Sequence, residues 1–470
     1  MSFVPAVHGI DRPSIGISIP STVRSGAIAV SVGATLSAFV LAGMVIGQPQ
    51  IVIFAGLLCV LAAIAYPALG LALFAAMTPM REPEVFVPVG FNFVLSAATL
   101  AGCILRLPIE RPRINLGVGA VLAVGYLALS AVTLPSIVSG SPVPPFNSAV
   151  NQYLQFSGGM LLFVSGYIVF QRVEPIPFLA LGLMSAAITA ILAIIILQAG
   201  TNDLPVRDVI GPGPWVPRAV GTFNNSNYYG LFLSLAILLG IGAISAIRSH
   251  FRYVLVPVLG LLAVTMLLSF SRGAVLTLLA GLVTLAFARS ARLGLMIVLA
   301  SIVLAAAALP IFLTARLDVT SPGGVGAYEG LSASDEGRRA VFDAGVRLFE
   351  QDPVFGTGFG LFPHASAAFL IAPGSTYPHN SAIKVLAEQG IVGGIVVVSL
   401  VFLLMRAILR SRHPLRGTAL AVLVGYGVGS FFLEPYVSIQ TSGLTWLVFA
   451  AVLAPVGTSA TDANDQRRAT

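Results

Sequence analysis

Long apolar runs follow one another along nearly the whole chain, separated by short polar connections in which arginine is the commonest charged residue. A bilayer core takes about 20 apolar residues per helix, so the pattern predicts membrane-spanning helices rather than the alternation of strands. The runs place helices near 26–46, 51–66, 68–80, 91–106, 115–136, 152–171, 177–198, 228–247, 253–270, 273–288, 294–314, 390–409, 417–433 and 440–456. Pro67 either kinks one long helix or separates a short, partly re-entrant pair, which sets the expected total at 12–14.

Composition agrees with the pattern. The 470 residues are 57% hydrophobic and 9% charged, far below the charge of an ordinary soluble domain. The expected class is an all-α polytopic membrane bundle with a large, partly helical outer loop. Its divisions are a cytoplasmic segment 1–25, transmembrane helices over 26–314 with an outer loop 198–227, the large loop 315–389, transmembrane helices over 390–456 and a cytoplasmic tail 457–470. The first run is long for a signal-peptide core and reads as a retained helix. Cys59 and Cys103 fall in apolar runs, where a small buried hydrophobe is the simpler role than a metal ligand. The net charge of +7 comes without a basic run interleaved with aromatics, which argues against nucleic acid as a partner.

Arginine instead reports orientation. With the N-terminus inside, the clusters Arg106, Arg111 and Arg113, Arg172, Arg248 and Arg252, Arg289 and Arg292, and Arg406, Arg410, Arg412 and Arg416 all fall on the cytoplasmic side. The tail with Arg467 and Arg468 joins them. Left on the outer side are Arg81, Arg207, Arg218, Arg272, Arg316, Arg338, Arg339, Arg347 and the only lysine, Lys384. Cations that break the orientation rule need another reason, and binding an anion is one. Snorkelling and local ion pairs are the plainer ones.

Within the large loop, Ser334 or Asp335 caps a predicted amphipathic helix over 337–351, with Phe342, Val346 and Phe349 on one face. Arg339, Asp343 and Arg347 stand four apart, the spacing of an exposed charge ladder. Gly356, Gly358 and Gly360 then predict tight turns, since their spacing is not that of a dinucleotide fingerprint.

Three segments bring chemistry to the outer side. In STYPHNSAIKVLAEQGIVGG, His379 precedes a helix that Asn380 or Ser381 caps and Gly390 ends. Taken alone, such a histidine is more often a hydrogen-bonding structural residue than a catalyst. In PRAVGTFNNSNYYG, Arg218 precedes the amides Asn224, Asn225 and Asn227; in SFSRGA, Arg272 occupies a tight outer hairpin with no acid near it in sequence. Glu388 either orients His379 or pairs with Lys384 four residues earlier, and Glu434 before Pro435 is open in the same way.

Together these segments resemble the O-antigen ligase and polymerase superfamily of bacterial membrane glycosyltransferases. The resemblance rests on RAVGTFNNSN, SFSRGA, RRAVFDAGVRLFEQDPVFGTGFGLF and, most specifically, PHNSAIKVLAEQGIVG, and covers about 218–400. It implies a GT-C-like bundle in the bacterial inner membrane, acting at the periplasmic face. The donor it implies is an undecaprenyl-diphosphate-linked glycan, and the acceptor is lipid A core or a second lipid-linked glycan. By the same resemblance His379 is the catalytic base, Arg218 and Arg272 hold the diphosphate, and one of Arg338 or Arg339 contributes from the loop, with Asn224, Asn227, Asn380 and Glu388 in support.

The chemistry is coherent with that reading. Nearby guanidinium charges favour a neutral imidazole, which can accept the acceptor's proton, and two arginines can stabilise the charge that builds on a diphosphate leaving group. No cofactor or metal is then required. The chain has no Asp-x-Asp motif, and the outer acid pairs Glu82 with Glu84, Asp335 with Glu336 and Glu350 with Asp352 lack an evident third ligand. The reading from another class is a transporter or flippase of lipid-linked glycans. It would place ionisable residues near the bilayer midplane and show related halves, and neither pattern stands out.

Overall fold

The computed structural model describes residues 21–80, 90–110, 117–132, 144–199, 218–223, 225–246, 251–296, 298–299, 327–369 and 377–455. Most of the N-terminal segment expected over 1–25 and of the loop expected over 198–227, Asn224 included, most of the predicted helix 294–314 and all of the tail expected over 457–470 lie outside them, as do Arg81, Glu82, Glu84, Arg207 and Arg316. The protein is an all-α polytopic membrane protein, with no strand among the described residues. Fifteen α-helices are followed here: α1 Ser21–Ile46, α2 Pro49–Ala65, α3 Pro67–Met77, α4 Phe91–Glu110, α5 Gly117–Val132, α6 Pro144–Val169, α7 Ile176–Ala199, α8 Ser226–Ala246, α9 Phe251–Leu268, α10 Arg272–Arg289, α11 Ala327–Gln351, α12 Phe362–Ser366, α13 Ser381–Arg410, α14 Arg416–Gly429 and α15 Ile439–Leu453. Six contain stretches long and apolar enough to cross a bilayer: those in α1, α4, α7, α8, α10 and α13.

Helices α1 to α4 pack on one another, as do α8, α9, α10 and α14; α6 joins α4 to α15, and α3 meets α7. Helix α8 touches α7, α9, α10, α14 and α15. Glycine sets how closely it is approached: a Cβ on Gly281 or Gly425 would strike Leu238 of α8, and one on Gly429 would strike Leu231. Without water to drive helices together, such small-residue contacts and satisfied hydroxyls do the packing. Ser96, Thr99, Ser130 and Ser165 accordingly return their hydroxyls to carbonyls four residues back, so that none of these four is stranded in the apolar interior.

The chain at Pro67 resolves into two helices. Tyr66 leaves helical geometry (φ −146°, ψ 89°), and Pro67 opens α3 at a position where its missing N–H costs nothing. Helix α3 has 11 residues, all buried. At 1.5 Å per residue it spans about half of a bilayer core, the length expected of a re-entrant piece sheathed by its neighbours. Its far end is held from elsewhere: Gln440 donates to the carbonyls of Met80 at 3.1 Å and Pro79 at 3.4 Å, and Thr222 also donates to Pro79.

Two expectations for the large loop change. Helix α11 starts ten residues before the predicted 337, at Ala327, and its buried face is Val341, Ala344, Gly345 and Leu348 rather than Phe342, Val346 and Phe349. The reason is contact: Gly345 lets Ile383 and Phe362 come close, and Val341 and Leu348 close around Phe362 and Ala387, while Phe342 is 42% exposed. The predicted capped helix and the predicted span 390–409 are one element, α13, broken at Gly390 (φ 61°, ψ −161°).

That break folds α13 sharply. Helices α13 and α14 share a lower turn at 411–415, and Ser381 donates its N–H to the Ser430 carbonyl at 2.7 Å just past the end of α14. The 30 residues of α13 would run about 45 Å if straight, against about 21 Å for the 14 of α14. Both ends can meet only if residues 381–389 double back over the bundle, leaving 391–410 as the span, about 30 Å long.

Candidate active site

The upper end of the bundle, where α8, α10 and α13 begin, is organised by the turn between α14 and α15. Three segments dock on it. Ser381 gives its N–H to Ser430 and its hydroxyl to the Leu433 carbonyl at 2.9 Å. Gly273 lies so near Phe432 that an added Cβ would come within 2.8 Å of the phenylalanine Cβ. Tyr228 donates its hydroxyl to the buried Glu434 carboxylate at 2.9 Å. Next to these three docking residues in the chain stand Asn380, with His379 one residue further, Arg272, and Asn227. Segments far apart in sequence thus converge on residues 430–434.

Arg218 stitches two of them together. Its Nε donates to the Ser269 carbonyl and its Nη2 to Asn227 Oδ1, both at 2.9 Å, and the next residue, Ala219, bonds the Leu268 carbonyl at 2.9 Å. The loop before α8 is therefore fixed against the α9–α10 hairpin that carries Arg272. In that hairpin Phe270 adopts a left-handed backbone (φ 50°) and Ser271 caps α10 by accepting from Ala274 N–H at 3.3 Å. Arg272 is the exposed first residue of α10.

Each converging helix presents its N-terminus. Asn225 Oδ1 accepts from Asn227 N–H at 2.7 Å as α8 starts, and Asn380 Oδ1 accepts from the N–H groups of Ala382 and Ile383 at 2.9 and 3.2 Å as α13 starts. Three positive helix ends, with Arg218 and Arg272 on the segments that lead into two of them, lie at this end of the bundle, an arrangement that favours an anion. His379, directly before the Asn380 cap, is half-buried and left-handed (φ 49°), an uncommon backbone state for any residue with a Cβ.

Behind His379 lies a buried polar cluster. Lys384 Nζ stands 3.4 Å from Glu388 Oε1 with both side chains enclosed, donates to Gln152 on α6, and sits 5.8 and 5.9 Å from the rings of Tyr377 and Tyr436. Glu388 Oε1 also accepts from Phe362 N–H at 3.1 Å. Of the two readings open for Glu388, the structure displays the pairing with Lys384. Burial first, then the charge of Glu388, pushes the Tyr436 hydroxyl well above its usual pKa, so it stays protonated at neutral pH.

Arg338 and Arg339 differ in placement. Arg338 is half-buried and falls in register with Val341, Gly345 and Leu348, the stripe facing α13; Arg339 is exposed, as are Asp343 and Arg347 of its ladder. Among the described residues no three His, Cys, Asp or Glu side chains cluster to hold a metal.

Sequence reasoning passed over Tyr228, Tyr436 and Gln152. The two tyrosines flank residues already singled out, Asn227 and Glu434, and their proximity to those was the available signal. Gln152 lies where the chain turns apolar and carried none.

Residues 257–398 match the family model described as O-antigen ligase. Over that stretch the chain is similar to the O-antigen ligase family. The stretch runs from within α9 to within α13 and takes in Arg272, α11, His379 and the Lys384–Glu388 pair, while Arg218 precedes it. No curated protein matches the chain.

Proposed function

We propose that the protein is a membrane glycosyltransferase of the O-antigen ligase type. It moves a glycan from undecaprenyl diphosphate to a sugar hydroxyl of an acceptor, lipid A core or a second lipid-linked glycan, in O-antigen or exopolysaccharide assembly. In this reading the upper end of the bundle faces the periplasm of the inner membrane, and both termini are cytoplasmic.

One observation carries the proposal: the segments of Arg272 and His379 and the start of α8, to which Arg218 is bonded through Asn227, are separate in sequence yet dock on the single turn 430–434, with three helix N-termini among them. The donor's diphosphate would be held by Arg218, Arg272 and, from the loop, Arg338, with the helix ends adding positive potential. His379 would accept the proton of the attacking hydroxyl as the bond from the anomeric carbon to diphosphate breaks, and the arginines would take up the charge left on the departing group. That electrostatic work is what a divalent metal otherwise supplies, so the mechanism requires none.

The test is transfer from purified undecaprenyl-diphosphate glycan in detergent, with lipid A core and a second lipid-linked glycan supplied in separate reactions. The parent transfers to one of them and His379→Ala, equally well expressed, does not. Unchanged turnover in His379→Ala would remove the base assignment. A parent that moves the lipid-linked glycan across vesicles without transferring it would favour the flippase.

A further inference from the structure

The Lys384–Glu388 pair does more than neutralise itself. Lys384 faces the bundle, through Gln152 of α6 and the Tyr436 ring of the upper turn, and reaches the ring of Tyr377 two residues before His379. Glu388 faces the loop, accepting the Phe362 N–H at the start of α12. The two lie one turn apart on the ten residues between His379 and the break at Gly390. The same stretch receives the loop backbone directly: Thr357 N–H bonds the Ala387 carbonyl at 2.9 Å and Gly358 N–H the Glu388 carbonyl at 2.8 Å.

A buried ion pair seldom gains net stability over apolar residues of the same shape, because desolvation offsets the attraction. Stability is therefore a weak reason to enclose the only lysine of the chain here. Geometry supplies a better one: the pair is where the position of the large loop is transmitted to the short helix that follows the histidine.

The geometry points to Lys384 and Glu388 as a positioning pair, a latch that seats the loop bearing Arg338 against the helix that follows His379, so that both address one substrate. This rests on the transferase reading above for its catalytic consequence, but the latch itself does not.

Three variants separate the possibilities. Lys384→Met leaves a buried carboxylate without its cation. Glu388→Ala removes the acceptor of the Phe362 amide. The double variant Lys384→Met with Glu388→Gln removes both charges yet keeps an oxygen for that amide. If the pair positions the site, each single variant loses about tenfold to a hundredfold in kcat per folded molecule while the donor KM shifts much less, and the double variant recovers most of the loss. Amide exchange over residues 357–362 accelerates in Glu388→Ala and returns to the parental rate in the double variant.

Parental kcat per folded molecule in the singles, or a loss that merely follows the folded fraction, overturns the positioning role. Unchanged exchange in Glu388→Ala overturns the latch whatever the enzyme does. Should the parent transfer no glycan at all, the transferase reading fails and the exchange measurement alone decides the latch.

Discussion

Ser381 and Ser430 are joined by a 2.7 Å backbone hydrogen bond, and that bond holds the helix behind His379 down on the bundle. Ser381 is the first residue of α13, a position where proline is tolerated because the N–H has no intrahelical partner. Asn380 before it is already extended (φ −156°, ψ 111°), the state a following proline prefers. Ser381→Pro should thus keep the helix while deleting both tethers, the N–H to Ser430 and the hydroxyl to Leu433. Transfer is expected to fall sharply with the far-ultraviolet helix signal unchanged, whereas Ser381→Thr retains activity. Parental transfer in Ser381→Pro would show that the tether does not place the histidine.

Gly390 allows the fold-back, and its φ of 61° with ψ of −161° is a region open essentially to glycine alone. A Cβ there would also run into the carbonyl of Val354, whose oxygen receives the Val392 N–H at 3.3 Å. Gly390→Ala combines strain with a clash, a cost of about 3 kcal/mol or more. A lowered thermal midpoint together with rapid protease cleavage after Phe355 is the expected result. Gly394→Ala, whose Cβ would meet only a leucine side chain at 3.2 Å, serves as the control and should change little.

The capping role of Asn380 can be told from a chemical one by what replaces it. Its Oδ1 receives two helix N–H groups, so Asn380→Ala should cost about 1 kcal/mol, and Asn380→Ser or Asn380→Asp should restore most of it. Activity is expected to follow stability across the three. Loss of transfer in Asn380→Ser at parental stability would instead place the amide in contact with substrate.

The parts of this architecture that the sequence made legible are those governed by local rules. Apolar run length gave the helices, the Asn380 cap and the Gly390 stop followed from backbone chemistry, and the tight turns at Gly356, Gly358 and Gly360 appear with positive φ as their spacing required. What stayed hidden depends on partners distant in the chain. The buried face of α11 turns on Phe362 and Ile383, which no periodicity within α11 could disclose. The doubling back of α13 follows from one hydrogen bond to Ser430, and the fully buried Lys384 from Gln152, Glu388 and two aromatic rings. An isolated lysine in sequence looks like an exposed cation; enclosure is a property of the assembled bundle.

Arg338 and Arg339, equivalent in sequence, are separated by the helix they share. Arg338 continues the stripe of Val341, Gly345 and Leu348 that faces α13, and Arg339 heads an exposed ladder. Arg338→Ala should weaken donor affinity about tenfold, the equivalent of one charge-assisted hydrogen bond of about 1.5 kcal/mol, and Arg339→Ala should be close to parental. Titration of each variant with the diphosphate donor measures the difference, and the opposite order of effects would exchange their roles.

Arg218 offers the most discriminating substitution at the anion site, because its guanidinium is shared between structure and ligand. Nε is committed to the Ser269 carbonyl and Nη2 to Asn227, which orients the plane of the fork relative to the hairpin of Arg272. Lysine keeps the charge but has a single nitrogen, so it can satisfy one of those partners only by giving up the planar face. Arg218→Lys should therefore raise the donor KM about tenfold and also loosen the loop before α8, the latter visible as faster amide exchange at Ala219, whose N–H bonds Leu268. Arg272→Lys, at an exposed helix start, should raise the donor KM by a similar factor without that change in exchange. A donor KM unaltered in both would mean that the diphosphate binds elsewhere, whereas an effect on exchange alone in Arg218→Lys would reduce that residue to a brace for its neighbour.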